Sequence, residues 1–202
     1  GNSNMTILIG ITGGIGAGKS LTLSKLREMG EEVIDADDVV HSLYDDQNSE
    51  IVKPLQERYG SRIKGEGEEI DRRKLAQIVF ADQYELEWLN NLIHPWVWKH
   101  IQQRAETVET RLFCGVPLLF EAGWHKKMDH TVSVWCDVTS QWRRLRGKGL
   151  TDDQIEARRN AQMSMEQKNE LADSVIVNNS SVRILRQQLR YLMTRIIKDI
   201  KK

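Results

Sequence analysis

The 202-residue chain balances 29 Lys and Arg against 29 Asp and Glu, so no overall field draws it to nucleic acid or to an anionic membrane surface. Its first apolar run is too short to span a bilayer, and the flanks are wrong for a secretion signal. Cys114 and Cys136 each lie inside an apolar run, which predicts buried free thiols in a reducing cytosol and cannot build a zinc site alone.

Gly1 to Asn4 read as a vector remnant ahead of Met5, leaving 5–202 as one domain of a size that can bury a substantial core. In chain order, Ile7–Thr12 is an apolar strand, followed by the glycine-rich stretch Gly13–Ser20 and a helix over Leu21–Met29 that should stop at Gly30. Glu32–Ile34 is a second strand and runs into Asp35-Ala36-Asp37-Asp38. From 41 to 108 the pattern is helical with no convincing strand, which predicts an insertion. Asp82 and Glu85 resemble a capping box for a helix carrying Leu86, Leu89, Ile93, Val97 and Ile101. Pro95 falls inside that stripe and predicts a kink or a junction between two helices. Strands are expected at Leu112–Val116, Thr131–Cys136 and Ser174–Val177. The last helix, capped at Ser180 or Ser181, carries the stripe Val182, Leu185, Leu189, Leu192 and Ile196 toward the sheet. Strands alternating with helices imply an α/β fold on a parallel sheet covered on both faces.

Gly13-Gly14-Ile15-Gly16-Ala17-Gly18-Lys19-Ser20 is a complete G-x-x-x-x-G-K-[S/T] phosphate loop between a strand and a helix. Glycines let successive backbone N–H groups turn toward a polyphosphate, and the helix N-terminus adds partial positive charge. Lys19 is expected to reach the β and γ phosphates, with the Ser20 hydroxyl on Mg²⁺. A guanine-reading Asn-Lys-x-Asp loop is missing from the sequence, which argues against a GTPase switch and leaves a small-molecule kinase or a nucleotide-dependent regulator. The carboxylates at the end of the second strand face the ligand edge of an open sheet. In an extended stretch Asp35 and Asp37 would share a face. They suit a base for an attacking hydroxyl or a Mg²⁺ partner, or else Asp37 or Asp38 is an acidic cap of the next helix.

Thr12 to Ser20 followed by Val33-Ile34-Asp35-Ala36-Asp37 resembles the dephospho-coenzyme A kinase family. Its further landmarks recur in order: Asp71-Arg72-Arg73-x-Leu75, Leu89-Asn90-x-x-Ile93-His94-Pro95, Pro117-Leu118-Leu119-Phe120-Glu121, Gln141-x-x-Arg144-Leu145, Gln162, Ala172-Asp173 and Asn178-Asn179. The resemblance implies a P-loop three-layer sandwich with a five-stranded parallel sheet, a helical acceptor-binding insertion and a lid over 143–162. It implies ATP-dependent phosphorylation of the ribose 3′-hydroxyl of dephospho-coenzyme A in the cytoplasm, by a monomer or weak homo-oligomer with no nucleic-acid or membrane partner. Carried over by residue, Gly13, Gly14, Ile15, Gly16, Ala17, Gly18, Lys19, Ser20, Leu21 and Arg144 would hold ATP. Asp37 would be the base, with Asp35 the runner-up and Lys19 the phosphate-facing cation. Arg72, His94 and Pro95 would join Asp37 in the acceptor pocket. Leu21 stands where a threonine is common in the family. The family's lid Arg-Asp pair is replaced by Lys148 and Gly149 with one residue fewer, and Gly147–Gly149 is expected to be a mobile cationic loop. Trp88, Trp96 and Trp98 are expected to pack rather than stack on a ligand, and His125-Lys126-Lys127 to be a solvated surface.

Overall fold

The computed structural model describes residues 6–67 and 69–200, so the expected remnant at 1–4 lies outside the described residues. Two compact units are present, one formed by 1–35 with 104–202 and the other by 36–103. The second starts and ends ahead of the insertion expected over 41–108, because its first helix begins directly at the end of the second strand.

The first unit holds five parallel strands, β1 (Ile7–Gly13), β2 (Glu32–Asp35), β3 (Arg111–Gly115), β4 (His130–Trp135) and β5 (Ser174–Val177), in the order β2-β3-β1-β4-β5. β1, β3 and β4 are interior and almost continuously buried, as expected of parallel strands covered on both faces. The edge strand β5 alternates instead, with Val175 and Val177 exposed and Ile176 buried. Its open edge is blunted at Val177, whose backbone N–H and C=O are both taken at 2.9 Å by the side-chain amide of Gln188.

Helices α1 (Lys19–Glu28) and α9 (Val182–Ile200) cover one face. Leu23 and Leu26 of α1 and Leu185, Leu189, Leu192 and Ile196 of α9 form one core with Ile9, Ile11, Phe113, Val132, Val134 and Ile176. The docking expected of the last helix is therefore met, except that Val182 is exposed. It occupies the first turn of α9, one step ahead of the repeat that reaches the sheet. The Ser181 hydroxyl accepts from the Ile184 N–H at 3.4 Å and supplies the expected cap. On the other face, the 116–128 segment packs Leu119 and Met128 over Gly10, and α8 (Met165–Leu171) places Asn169 against Ser133 at 2.7 Å.

α1 closes at Gly30 (φ +83°) with Gly30 N–H on Arg27 O and Glu31 N–H on Leu26 O, a Schellman cap. The same device closes α6 (Val138–Gly147): Gly149 (φ +81°) donates to Arg146 O and Leu150 to Leu145 O. α7 (Asp152–Asn160) follows at once behind a Thr151–Gln154 capping box. The Gly147–Gly149 stretch is thus the end of a helix with its hydrogen bonds made, and the basic segment expected to form a loop is helical on both sides of it. Arg146 further pairs bidentately with Asp152 at 2.8 and 3.0 Å. Both cysteines are buried free thiols, and burial pushes Cys114 up to about 12.

In the second unit α2 (Ala36–Asp45), α3 (Val52–Tyr59), α4 (Arg72–Ala81) and α5 (Gln83–Glu106, its last residues crossing into the first unit) follow one another. α5 continues through Pro95, so the expected junction is missing. The lost backbone donor and ring crowding cost about 3 kcal/mol in a regular interior. Burial of Leu89, Ile93, Val97 and Ile101 on both sides of the proline outweighs that, at about 1.5–3 kcal/mol for each aliphatic side chain. Asp82 does cap α5, accepting from Tyr84 N–H at 2.9 Å, but the capping box is not closed. Glu85 is drawn away to Arg58 at 2.8 and 2.9 Å and to the Tyr59 hydroxyl at 2.5 Å. Arg58 first, and Tyr59 with it, hold the Glu85 carboxyl at about 2. Arg58 also lies 4.5 Å over Trp88, whose ring meets Tyr59 edge-on at 5.8 Å, so that tryptophan packs as expected.

If α9 is held by its stripe, Leu189→Ala should lower unfolding free energy by about 2–5 kcal/mol in urea titrations. Val182→Ala should stay within about 0.5 kcal/mol of the parent protein.

Candidate active site

The phosphate loop leaves β1 and enters α1 through Gly16 (φ +70°) and Gly18 (φ +106°), which only glycine adopts readily. Crowding adds a second requirement. A Cβ on Gly18 would stand 1.9 Å from Asn178 Nδ2, one on Gly14 2.4 Å from Met165 Cγ, and one on Gly13 2.7 Å from Val134 O.

Each carbonyl from Gly13 to Gly18 is engaged, five of them by donors outside the loop and Gly14 O by the loop's own Ala17 N–H. Gly13 O accepts from Lys168 Nζ at 3.4 Å, Gly14 O from Ala17 N–H at 3.1 Å, and Ile15 O from Gln141 Nε2 at 2.8 Å. Gly16 O accepts from Arg144 Nη1 at 3.2 Å, and Ala17 O from Arg144 Nη1 at 3.3 Å and Asn178 Nδ2 at 2.9 Å. Gly18 O takes Thr22 N–H at 3.0 Å and the Thr22 hydroxyl at 2.9 Å. Arg144 is itself fixed by Nη2 on Asn178 O at 2.7 Å. A peptide's N–H and C=O point in opposite directions, so carbonyls gripped from outside leave N–H groups for an anion within.

At the loop's exit Lys19 Nζ lies 3.1 Å from Asp35 Oδ1, and both side chains are largely buried. This unites two of the expected catalytic residues, the loop's cation and the carboxylate ending β2. Ser20 and Leu21 are exposed in the first turn of α1. Asp37 and Asp38 differ from expectation. β2 stops at Asp35 and α2 starts at Ala36, so Asp37 is not on an extended stretch beside Asp35, and neither acid caps the helix. Both lie inside its first turn, where the helix dipole favours carboxylates. Arg144 was expected at ATP, and all three of its placed contacts are to loop or Asn178 carbonyls.

The other expected residues belong to the second unit. Arg72 opens α4 and is exposed, behind the Asp71 cap that accepts from Arg73 and Lys74 N–H at 2.9 and 3.1 Å. His94 is half-buried on α5, and burial lowers its pKa, so the neutral imidazole is favoured. Pro95 beside it is exposed. His125, expected on a solvated surface, tucks its ring against Phe120 at 5.3 Å and buries Nδ1 without a hydrogen-bond partner, whereas Lys126 and Lys127 are exposed.

Lys168 was missed by sequence reading. Fully buried on α8, it also donates to Pro117 O at 2.7 Å and pairs with Glu121 Oε2 at 3.4 Å. Within Met-Glu-Gln-Lys-Asn-Glu-Leu it looks like one charge on a solvated helix, and no spacing signals burial. Gln141 and Arg144 were legible only as landmarks, although their i, i+3 spacing puts both on one helix face.

A model of the dephospho-CoA kinase family matches residues 7–183, and the chain belongs to that family. The dephospho-CoA kinase of Symbiobacterium thermophilum is 35% identical over 187 residues, covering 90% of this chain and 78% of the relative. That of Bacillus licheniformis is 35% identical over 194 residues, covering 94% and 96%. A crystal structure from Thermus thermophilus superposes with a TM-score of 0.80 at 31% identity, over 95% of this chain and 98% of the other. The chain is accordingly a P-loop kinase by family and by fold. Among the described residues no helix is long and apolar enough to cross a membrane.

The crowding at Gly18 predicts that Gly18→Ala strains the loop and displaces Asn178. Calorimetric titration should show affinity for a nonhydrolysable ATP analogue falling at least about tenfold, since more than one loop donor is misdirected. Near-parental affinity would show that the loop tolerates a side chain there.

Proposed function

We propose that this kinase transfers the γ-phosphoryl group of ATP to the ribose 3′-hydroxyl of dephospho-coenzyme A, the last step of coenzyme A synthesis. The observation that carries the reading is the Lys19–Asp35 pair at the exit of a loop whose carbonyls from Gly13 to Gly18 are all engaged, most of them from outside. Phosphoryl transfer asks little covalent chemistry of the protein. It asks for positioning, and for positive charge where the equatorial oxygens become more negative. In this reading Gly13–Ser20 bind the β and γ phosphates by backbone N–H groups, with Leu21 flanking them, and Lys19 meets the transferring group. Arg144 serves ATP by holding the loop.

The 3′-oxygen forms its bond to the γ phosphorus while the bond to the β-phosphate oxygen breaks, so ADP leaves and the hydroxyl proton needs an acceptor. Asp37 is proposed as that acceptor and Asp35 as the runner-up; the two are separated in the chain by Ala36 alone. Arg72 and the His94-Pro95 step are proposed for the acceptor, with His94 neutral and so a hydrogen-bonding rather than a charged partner. Among the described residues no three His, Cys, Asp or Glu cluster to hold a metal by themselves. The exposed Ser20 hydroxyl and the Asp35 carboxylate are hard oxygen donors of the kind magnesium takes beside phosphate oxygens and water. Ser20 and Asp35 would hold it, and when bound it neutralises charge on the triphosphate.

The deciding experiment is turnover with a panel of acceptors. Protein with MgATP should convert dephospho-coenzyme A to a product heavier by one phosphoryl group in mass spectrometry. Adenosine, AMP, uridine and shikimate should be poor acceptors, because they lack the contacts of a long acceptor. Lys19→Ala should abolish that transfer while the circular dichroism spectrum is retained. Robust transfer to AMP or uridine with dephospho-coenzyme A inert would overturn the acceptor and leave the kinase.

Asp37→Asn should reduce kcat by about 10²–10⁴-fold with little change in ATP affinity, the usual worth of a general base. A loose transition state favours the lower end of that range. A raised KM for the acceptor with kcat intact would make Asp37 a binding group only.

A further inference from the structure

Lys168 is the one ammonium in the described residues with no exposed surface. Its Nζ sits among Gly13 O at 3.4 Å, Pro117 O at 2.7 Å and Glu121 Oε2 at 3.4 Å. These are the first residue of the phosphate loop and two positions of the segment leaving β3. Pro117 O also accepts from the Thr12 hydroxyl at 3.0 Å, and Val116 N–H donates to Ile11 O at 2.8 Å, so the ends of β1 and β3 are bound to each other around this lysine. Glu121 Oε2 accepts in addition from Met163 N–H at 3.0 Å, in the link between α7 and α8.

Stability alone does not explain such a group. An ammonium taken wholly out of water loses a large hydration energy, and apolar residues of similar volume in place of buried ion pairs are often neutral or stabilising. Burial pushes the Lys168 ammonium below the ordinary lysine range, Glu121 opposes this, and the charge of Lys19 adds to the lowering. That last influence places Lys168 within electrostatic reach of the loop's own cation.

We propose that Lys168 is a positioning residue for phosphoryl transfer, orienting the entry of the phosphate loop at Gly13 and holding a fixed positive charge, partly offset by Glu121, outside the loop wall. The inference rests on the reading of the chain as an ATP-dependent kinase. It does not depend on which acceptor is used. Lys168 touches no nucleotide itself. It acts through the Gly13 peptide, whose orientation sets the loop's path, and through its charge, which counts for more in a buried setting than in water.

The test compares Lys168→Met and Lys168→Gln with the parent protein in binding adenosine, ADP and a nonhydrolysable ATP analogue by calorimetry. A positioning role predicts loss of affinity that grows with phosphate number. Adenosine should be unchanged and the triphosphate analogue weakened about tenfold, as for one charge acting over several ångströms at an effective dielectric of about 20. A merely structural role predicts a lower melting temperature and the same phosphate increment as the parent, and this result would overturn the proposal. Should neither neutral variant fold, Glu121→Gln decides, since its amide oxygen can still accept from Met163 N–H while the offsetting charge is gone. The triphosphate analogue should then bind several-fold tighter at neutral pH, and unchanged or weaker binding overturns the proposal. Because these readouts need no acceptor, they remain decisive even if dephospho-coenzyme A proves inert.

Discussion

A loop that binds anions by its backbone must first dispose of its own oxygens. Every N–H turned toward a phosphate comes with a carbonyl turned elsewhere, and an unpaired buried carbonyl is costly. Here five of the six carbonyls of Gly13–Gly18 are met by donors from α8, α6, the end of β5 and the first turn of α1, and the sixth, Gly14 O, by the loop's own Ala17 N–H. Much of the first unit's architecture serves that requirement. β4 lies beside β1 and β5 beside β4, all parallel, and it is the ends of those strands that deliver Asn178 and the start of α6 to the loop. The close approach at Gly18 follows from the same grip, because the Asn178 amide that donates to Ala17 O stands where a Cβ would be, whereas Gly13 and Gly14 are crowded by Val134 and Met165.

The same constraint separates two kinds of residue in the site. Gln141, Arg144, Asn178 and Lys168 face the loop from outside and hold it. Lys19 and Asp35 meet at its exit, where β2 ends and α1 begins. The direct passage from Asp35 into α2 also fixes the kind of carboxylate Asp37 is. It belongs to the first turn of a helix and not to the end of a strand.

The strands and α1 were legible because the periodicities are unambiguous: apolar runs with β-branched residues, a helix closed by glycine, and a phosphate loop whose eight positions leave little freedom. What was misread shares one cause, a local signal overridden by contacts distant in sequence. Of the kink or junction that Pro95 signals, the junction does not form, because the stripe on either side is buried and the helix continues. Glu85 stands where a capping box needs it, but Arg58 and Tyr59, some 27 residues earlier, bind it more strongly. Asp35-Ala36-Asp37 has the spacing of one strand face only if the strand goes on, and it does not.

The glycines at 147 and 149 and the lysine at 168 show the limit most sharply, and in opposite senses. Glycine is ambiguous in a sequence, since the freedom that permits a mobile loop also permits a positive-φ helix cap. Gly149 proves to be the cap, and beside it Arg146 is fixed to Asp152 while Trp142 lies 5.1 Å beneath Arg146 and 5.9 Å beneath Arg159. The basic segment is built as a pair of well-terminated helices. Lys168 is the converse, a charge that looks solvated among Glu166, Asn169 and Glu170 and is wholly enclosed. Its burial is decided by carbonyls at Gly13 and Pro117, residues 155 and 51 positions away. No window along the chain contains that information. It exists only once β1, β3 and α8 have been brought together, so the groups that grip the loop from outside are the part of this site a sequence is least able to reveal.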